Sequence, residues 1–105
     1  MKVKLTEITS VIRSKNAGPY ELTFDLMFQT REWFSQVCSK NIFHEQLICE
    51  LFGISKNDII NIVAFDPANA IKITIRRPRC SGDIGETDVY GAQQHAPFLN
   101  LEFDL

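Results

Sequence analysis

Residues 82–97 carry a concentrated set of hydrogen-bonding side chains in a stretch that has neither helical nor strand periodicity. Asp88, Tyr90, Gln93, Gln94 and His95 supply a carboxylate, a phenol, two amides and an imidazole. An imidazole can move a proton near neutral pH, and a carboxylate that holds one ring nitrogen raises the basicity of the other. We therefore predict His95, Asp88 and Tyr90 as catalytic residues, with Gln93 and Gln94 binding substrate.

The same segment has a purely structural interpretation. Gln93 and Gln94 would then satisfy backbone groups of the loop itself, and His95 would be buried against a sheet. Both interpretations stay open at this point, because the residue types alone do not separate a catalytic loop from a loop held by its own hydrogen bonds.

A second polar patch lies at residues 13–19, where Arg13, Ser14, Lys15 and Asn16 precede a turn signal at Gly18. Backbone amides in a tight turn form a positive concavity, and a guanidinium binds a carboxylate or phosphate through two hydrogen bonds. We predict that these four residues bind a carboxylate or an acyl-thioester. The alternative is an ordinary exposed end of a helix or strand that carries two solvated cations.

Composition narrows the class of protein. The 105 residues fit one domain, 1–105, and a net charge of −2 gives no general attraction to nucleic acid or to an acidic membrane. Three cysteines at irregular spacings indicate a reducing compartment, and Cys38 and Cys49 are expected to act as small buried hydrophobes. We expect a cytoplasmic protein that needs no metal and no cofactor and does not associate with membranes.

Periodicity predicts most of the elements. Residues 20–28 alternate as a strand, and two helical stripes follow, the first capped by Thr30 and the second ending at Gly53. Residues 58–65 are expected to form a mostly buried strand that turns through residues 66–69 into a strand at 71–76, and residues 98–105 close the chain as a strand. Residues 5–12 fit a helix or a strand, with a slight preference for the helix.

This order predicts an α+β, ferredoxin-like fold. Its four-stranded antiparallel sheet would have helices on one face, and a long irregular loop would precede the last strand. Irregular segments of this length inside a compact domain are usually functional or disordered. The two polar segments would then be loops presented by a rigid sheet.

Three segments carry a resemblance to a known family: residues 14–25 (SKNAGPYELTFD), residues 65–68 (FDPA) and residues 87–97 (TDVYGAQQHAP). Across almost the whole chain they resemble a bacterial family of stand-alone proteins of about this length, classed as a domain of unknown function. That family is similar to the small ferredoxin-fold domain of acyclic terpene utilisation A (AtuA-like) proteins. Those larger proteins are associated with catabolism of acyl-thioesters and branched acids by hydratases or lyases.

The resemblance implies a small subunit that associates with a larger AtuA-like protein and helps form the site of a hydratase or lyase. Arg13, Ser14 and Gly18 have counterparts in an Arg-Ser-Gly-Asp-Lys-Gly-like signature of the larger family, which also implies a strand for the first segment. The alternative function is a non-catalytic structural module that oligomerises through its open sheet face. A third class, an independent small enzyme, is disfavoured because so short a chain has little room for a pocket.

Overall fold

Two antiparallel sheets, one of four strands and one of two, organise the residues that the computed structural model describes, namely 1–18, 20–76 and 96–105. In chain order the elements are β1 (Lys2–Lys4), α1 (Leu5–Ile8), β2 (Thr9–Gly18), β3 (Glu21–Phe28), α2 (Arg31–Ser39), α3 (Glu45–Phe52), β4 (Ile59–Phe65), β5 (Ala70–Arg76) and β6 (Glu102–Asp104). Short 3₁₀ turns occupy Lys56–Asp58, Asp66–Ala68 and Ala96–Asn100.

The larger sheet has the strand order β2-β3-β5-β4, with every neighbouring pair antiparallel. Its register places Phe24 of β3 between Ser14 of β2 and Ile73 of β5. The smaller sheet joins the two ends of the chain, because β1 pairs with β6 and Val3 lies opposite Phe103.

The hydrophobic core lies on one face of the larger sheet. Because side chains alternate along a strand, β3 and β5 each direct every second residue to this face. The buried set is Leu22, Phe24, Leu26 and Phe28 from β3, with Ile71, Ile73 and Ile75 from β5. Phe34 and Val37 of α2 and Ile48 of α3 belong to the same cluster. A stack of Phe24 on Phe52, with ring centroids 4.8 Å apart, links the sheet to α3.

Local signals set the ends of both longer helices as the sequence predicts. The hydroxyl of Thr30 accepts a hydrogen bond of 3.2 Å from the backbone N–H of Trp33, which caps α2. Gly53 ends α3 in the left-handed region at φ 64°, where a residue without a Cβ is favoured. The predicted turn at residues 66–69 is confirmed as well.

The ferredoxin-like prediction is wrong, although the α+β class is right. The structure has no single four-stranded sheet that includes the last strand, because β6 is only three residues long and pairs with β1 outside the larger sheet. The fourth strand of the larger sheet is β2, ten residues that the preference for a helix had missed. The helix is limited to one turn, Leu5–Ile8.

Two burial predictions are also corrected. Strand β4 forms where the sequence predicts it, yet none of its seven residues is fully buried. Cys38 is exposed and Cys49 is half-buried, so the first is not a core side chain. Both thiols are free. In the part of the chain that the structure describes, no helix is long and apolar enough to cross a membrane.

Candidate anion-binding site

The predicted substrate-binding residues at 13–16 lie on strand β2 and not on a loop. Alternation along that strand divides them between the two faces of the sheet. Arg13 and Lys15 are exposed on the face away from the core, whereas Ser14 is only 6% exposed and lies opposite Phe24 on the core side. Asn16 shares the face of Ser14. The structure therefore places Arg13 and Lys15 together on the exposed face and separates them from Ser14 and Asn16.

The other predicted site residues are Asp88, Tyr90, Gln93, Gln94 and His95. All five lie outside the described residues, so their roles stay predictions. The long irregular loop that the sequence predicts before the last strand falls in the same range.

Arg13 and Lys15 belong to a surface that we call the open face, meaning the side of the larger sheet that faces away from the core. The ladder registers place the following residues on it: Val11, Arg13, Lys15, Glu21, Thr23, Asp25, Met27, Asn61, Val63, Phe65, Ala70, Lys72, Thr74 and Arg76. Because neighbouring strands are in register, these side chains form rows that run across the sheet.

One row is charged and crosses all four strands. Asp25 lies between Arg13 and Lys72, and Val63 continues the row on β4. The Nε of Arg13 donates a hydrogen bond of 3.0 Å to Oδ2 of Asp25. The Arg13 side chain is 57% exposed, whereas that of Asp25 is 10% exposed. Asp25 thus binds the guanidinium through Nε, and the two terminal nitrogens take no part in this hydrogen bond.

The rows on either side differ in polarity. Toward one end of the sheet, Met27, Ala70 and Phe65 form an apolar row, and the Phe65 side chain is among the most exposed large hydrophobics at 56%. Toward the other end, Thr23 and Thr74 are paired on β3 and β5 with their hydroxyl oxygens 3.4 Å apart. Lys15 on β2 and Asn61 on β4 complete this row. Over these three rows the open face therefore passes from apolar through charged to a row of two threonines flanked by a lysine and an asparagine.

A groove of about 190 Å³ opens where the apolar and charged rows meet. It is lined by Arg13, Lys15, Asp25, Met27, Phe65, Ala68, Ala70 and Lys72. A second depression of about 250 Å³ shares Phe65 and Lys72 with it and reaches Asn61 and Val63 on β4. Three cations and one carboxylate line the first groove, so its local charge is positive although the chain as a whole carries −2.

This arrangement suits an amphiphilic anion. Arg13 and Lys72 can bind a carboxylate or phosphate oxygen, while Met27 and Phe65 offer apolar contact to an adjoining hydrocarbon group. Sequence reasoning found Arg13 and Lys15 but missed Asp25, Lys72, Met27 and Phe65. The two-residue period does predict that Asp25 and Lys72 each lie on the solvent side of a strand. It does not predict that β2 pairs with β3 and β3 with β5, which is what brings these side chains together.

A separate groove of about 160 Å³ lies between the end of α2 and strand β4, with Cys38, Asn41 and Ile62 in its walls. Partial burial, and after it the negative charge of Asp66, raises the pKa of the Cys38 thiol above its ordinary value, and Arg31 acts in the opposite direction. A raised pKa keeps the thiol protonated, which is the opposite of what a nucleophilic cysteine requires. We assign no chemistry to this groove.

Metal binding has no local support in the ranges 1–18, 20–76 and 96–105. There, no three His, Cys, Asp or Glu side chains come close enough to hold an ion. His44 has a structural role instead, because its Nδ1 accepts a hydrogen bond of 3.1 Å from the backbone N–H of Leu47 and caps helix α3.

The chain matches the model of a family described as domain of unknown function DUF4387, over residues 5–102. The chain belongs to this family. The match spans the larger sheet and every residue of the open face, so the groove is built from the part of the chain that defines the family. No curated protein and no solved structure gives a significant match to the chain.

Proposed function

We propose that this DUF4387 protein is the small subunit of a two-part assembly, in which its open face forms one wall of a site for a carboxylic acid or an acyl-thioester. The larger partner would be an AtuA-like protein, and the reaction would be the addition or removal of water. The observation that carries the proposal is the groove between the charged and apolar rows, where three cations lie beside the exposed Phe65 and the half-buried Met27.

The size of the groove favours a shared site. Ligand pockets usually enclose about 300–1,000 Å³ and bury most of the ligand. The groove on the open face measures about 190 Å³ and is open to solvent, so a ligand on it would remain largely uncovered. A second protein surface laid over the sheet would supply the missing wall.

The charges favour an anionic ligand. Arg13 is only partly neutralised by Asp25, because the carboxylate contacts Nε and leaves the two terminal nitrogens of the guanidinium for another acceptor. Lys15 and Lys72 have no ion pair among the residues that the structure describes. A carboxylate, or the carbonyl oxygen of a thioester, would therefore meet donors that are fixed by the sheet and not by a loop.

Five residues of the groove then have distinct parts. Arg13 and Lys72 hold the anionic group, Asp25 orients Arg13, and Met27 with Phe65 contacts the hydrocarbon part of the substrate. His95 with Asp88 remains the proposed pair for moving a proton during hydration or dehydration, and Tyr90, Gln93 and Gln94 remain proposed neighbours of that step.

Co-expression with the AtuA-like protein of the same genome tests the proposal. We expect the two chains to purify together and to hydrate members of a panel of branched 2-enoyl thioesters and their free acids, followed by loss of the conjugated-alkene absorbance. Arg13→Ala and Lys72→Ala should each raise KM about tenfold or more, since each removes a charge-assisted hydrogen bond. Lys40→Ala is the matched control, because Lys40 is an exposed cation at the end of α2 that does not line the groove.

Two results would overturn the proposal. One is that the chains purify apart under all conditions. The other is an active assembly whose KM and kcat are the same with Arg13→Ala, Lys72→Ala and Lys40→Ala, because the open face would then play no part in substrate binding.

A further inference from the structure

Strand β4 is an edge of the larger sheet with an unusual composition. Its seven residues, Ile59–Phe65, include no charged residue and no proline. Three of its large apolar side chains are well exposed: Ile60 at 42%, Val63 at 46% and Phe65 at 56%. In the part of the chain that the structure describes, β4 pairs on one side only, with β5.

Edge strands of this kind are usually protected. Proteins place charged side chains, especially lysine, or proline on an edge so that it does not pair with another chain. The opposite edge of the same sheet follows that rule, because β2 carries Arg13 and Lys15 on its open face. Strand β4 lacks such protection over its full length, although a register irregularity lies at its first residues, between Ile59 and Asn61.

We infer that β4 is the pairing edge for a second copy of this chain. The two strands would run antiparallel about a two-fold axis, so that one sheet continues through both copies. This inference concerns self-association and does not depend on the larger partner of the proposed function.

Charge is the reason for choosing a second copy as the occupant. A two-fold axis places each strand against its own image, so any charge near the centre of the strand would meet a like charge. An uncharged β4 avoids this repulsion, whereas β2 would bring Arg13 and Lys15 close to their own images. An edge meant for an acidic or basic partner would be expected to carry the complementary charge, and β4 carries none.

The pairing also brings the exposed side chains of the two copies together. With the two-fold axis perpendicular to the sheet, the open faces of both copies lie on the same side. The depression that reaches Asn61 and Val63 then extends to the seam, which is the line where the two β4 strands meet. One pairing of seven-residue strands buries less surface than the about 1,200 Å² of a standard stable interface. The dimer should therefore be weak and dependent on concentration.

A charge-swap experiment tests the inference. Val63 is near the middle of β4, and Val63→Glu or Val63→Lys would place like charges on both sides of the seam. By sedimentation equilibrium we expect a concentration-dependent dimer for the wild type and a dissociation constant raised about tenfold or more for each variant. An equimolar mixture of the two variants should dimerise more tightly than either variant alone.

Leu99→Glu is the matched control, because Leu99 is 44% exposed and lies in a 3₁₀ turn away from β4. It should leave the dissociation constant unchanged. If the Val63 variants do not fold, as judged by their urea transitions, Ile60→Glu provides the same test from another exposed position of the strand.

Three results would overturn the inference. The wild type could stay monomeric at every concentration, it could form only large aggregates, or its dimer could have the same dissociation constant as the dimers of all three β4 variants. A wild type that remains monomeric and binds only the larger partner through β4 would overturn it equally.

Discussion

The two faces of the larger sheet are made by the same strands and differ in their side chains. On the core face, Leu26 and Ile71 lie opposite each other and pack among apolar side chains of the helices. One residue away along each strand, Asp25 and Lys72 lie opposite each other on the open face. The stability of the sheet and the chemistry of the groove are therefore set by alternate residues of one backbone, and a side chain can be exchanged on one face without touching the other.

The open face is not a simple solvated surface. Thr23, Asp25 and Thr74 are 5–7% exposed, which is as little as many core residues. Their polar groups are satisfied by one another or by Arg13. The comparison shows that burial alone does not separate a core residue from a site residue here, whereas charge and hydrogen bonding do.

The largest expected difference between the faces is in stability. Phe24 is fully buried and contacts the rings of Phe52 and Phe98, so Phe24→Ala should lower the free energy of unfolding by about 3–5 kcal/mol. Met27 is half-buried on the open face of the same strand, and Met27→Ala should cost less than about 1.5 kcal/mol. Urea denaturation of both variants measures the contrast, and equal losses would show that the two faces do not differ as described.

Asp25→Asn should separate stability from binding. The ion pair with Arg13 joins a buried carboxylate to a half-exposed guanidinium, so its loss should cost only about 1 kcal/mol of stability. The change also removes the negative charge beneath the groove. Binding of inorganic phosphate, followed by NMR titration, should therefore tighten about fivefold. Weaker phosphate binding in this variant would contradict the view that Arg13 faces an anion above the sheet.

His44 provides a comparison within the helical layer on the core side. His44→Ala removes the acceptor that caps α3 and should lower the free energy of unfolding by about 1 kcal/mol, whereas His44→Asn should restore most of it. Phosphate titration of both variants should match the wild type, because the cap lies outside the open face. A change in phosphate affinity would mean that this helix end contributes to the site.

The smallest effect concerns Cys38. Because burial and Asp66 raise the pKa of its thiol, less thiolate is present at a given pH, and alkylation by iodoacetamide should follow a pH profile displaced upward from that of a free thiol. Asp66→Asn should lower the pKa and speed alkylation at neutral pH, and Arg31→Ala should slow it. Cys49→Ser and Cys80→Ser in the background isolate the signal. An unshifted profile would refute this description of the thiol.

Local signals predicted much of this fold. The alternation of residues 20–28 and 71–76, the cap at Thr30 and the stop at Gly53 depend on neighbours in sequence, and the structure confirms all of them. The partner of β6 is β1 at the other end of the chain, and there the prediction was wrong. Strand β2 pairs with its neighbour β3 and was missed for a local reason. Leu5, Ile8, Val11 and Ile12 happen to have helical spacing, yet only the first turn is helical and the β-branched residues after it pair with β3.

The candidate site was predictable to the same extent. Arg13 and Lys15 were identifiable as cations that could bind an anion, and their spacing of two residues is what places them on one face once β2 is known to be a strand. Cross-strand pairing places three further residues beside Arg13 and Lys15, namely Asp25, Lys72 and Phe65. Some of these pairings join strands that are about fifty residues apart in the chain, and no local sequence pattern encodes such a pairing.

Methyl NMR with 3-methylbutyrate as the probe shows whether the open face binds an amphiphilic anion. We expect saturable shifts at the methyl groups of Met27 and Ala70, none at Ile73 on the core face of the same sheet, and loss of the shifts in the Arg13→Ala, Lys72→Ala double variant. Shifts confined to core or helix methyl groups, or unchanged in the double variant, would contradict this expectation.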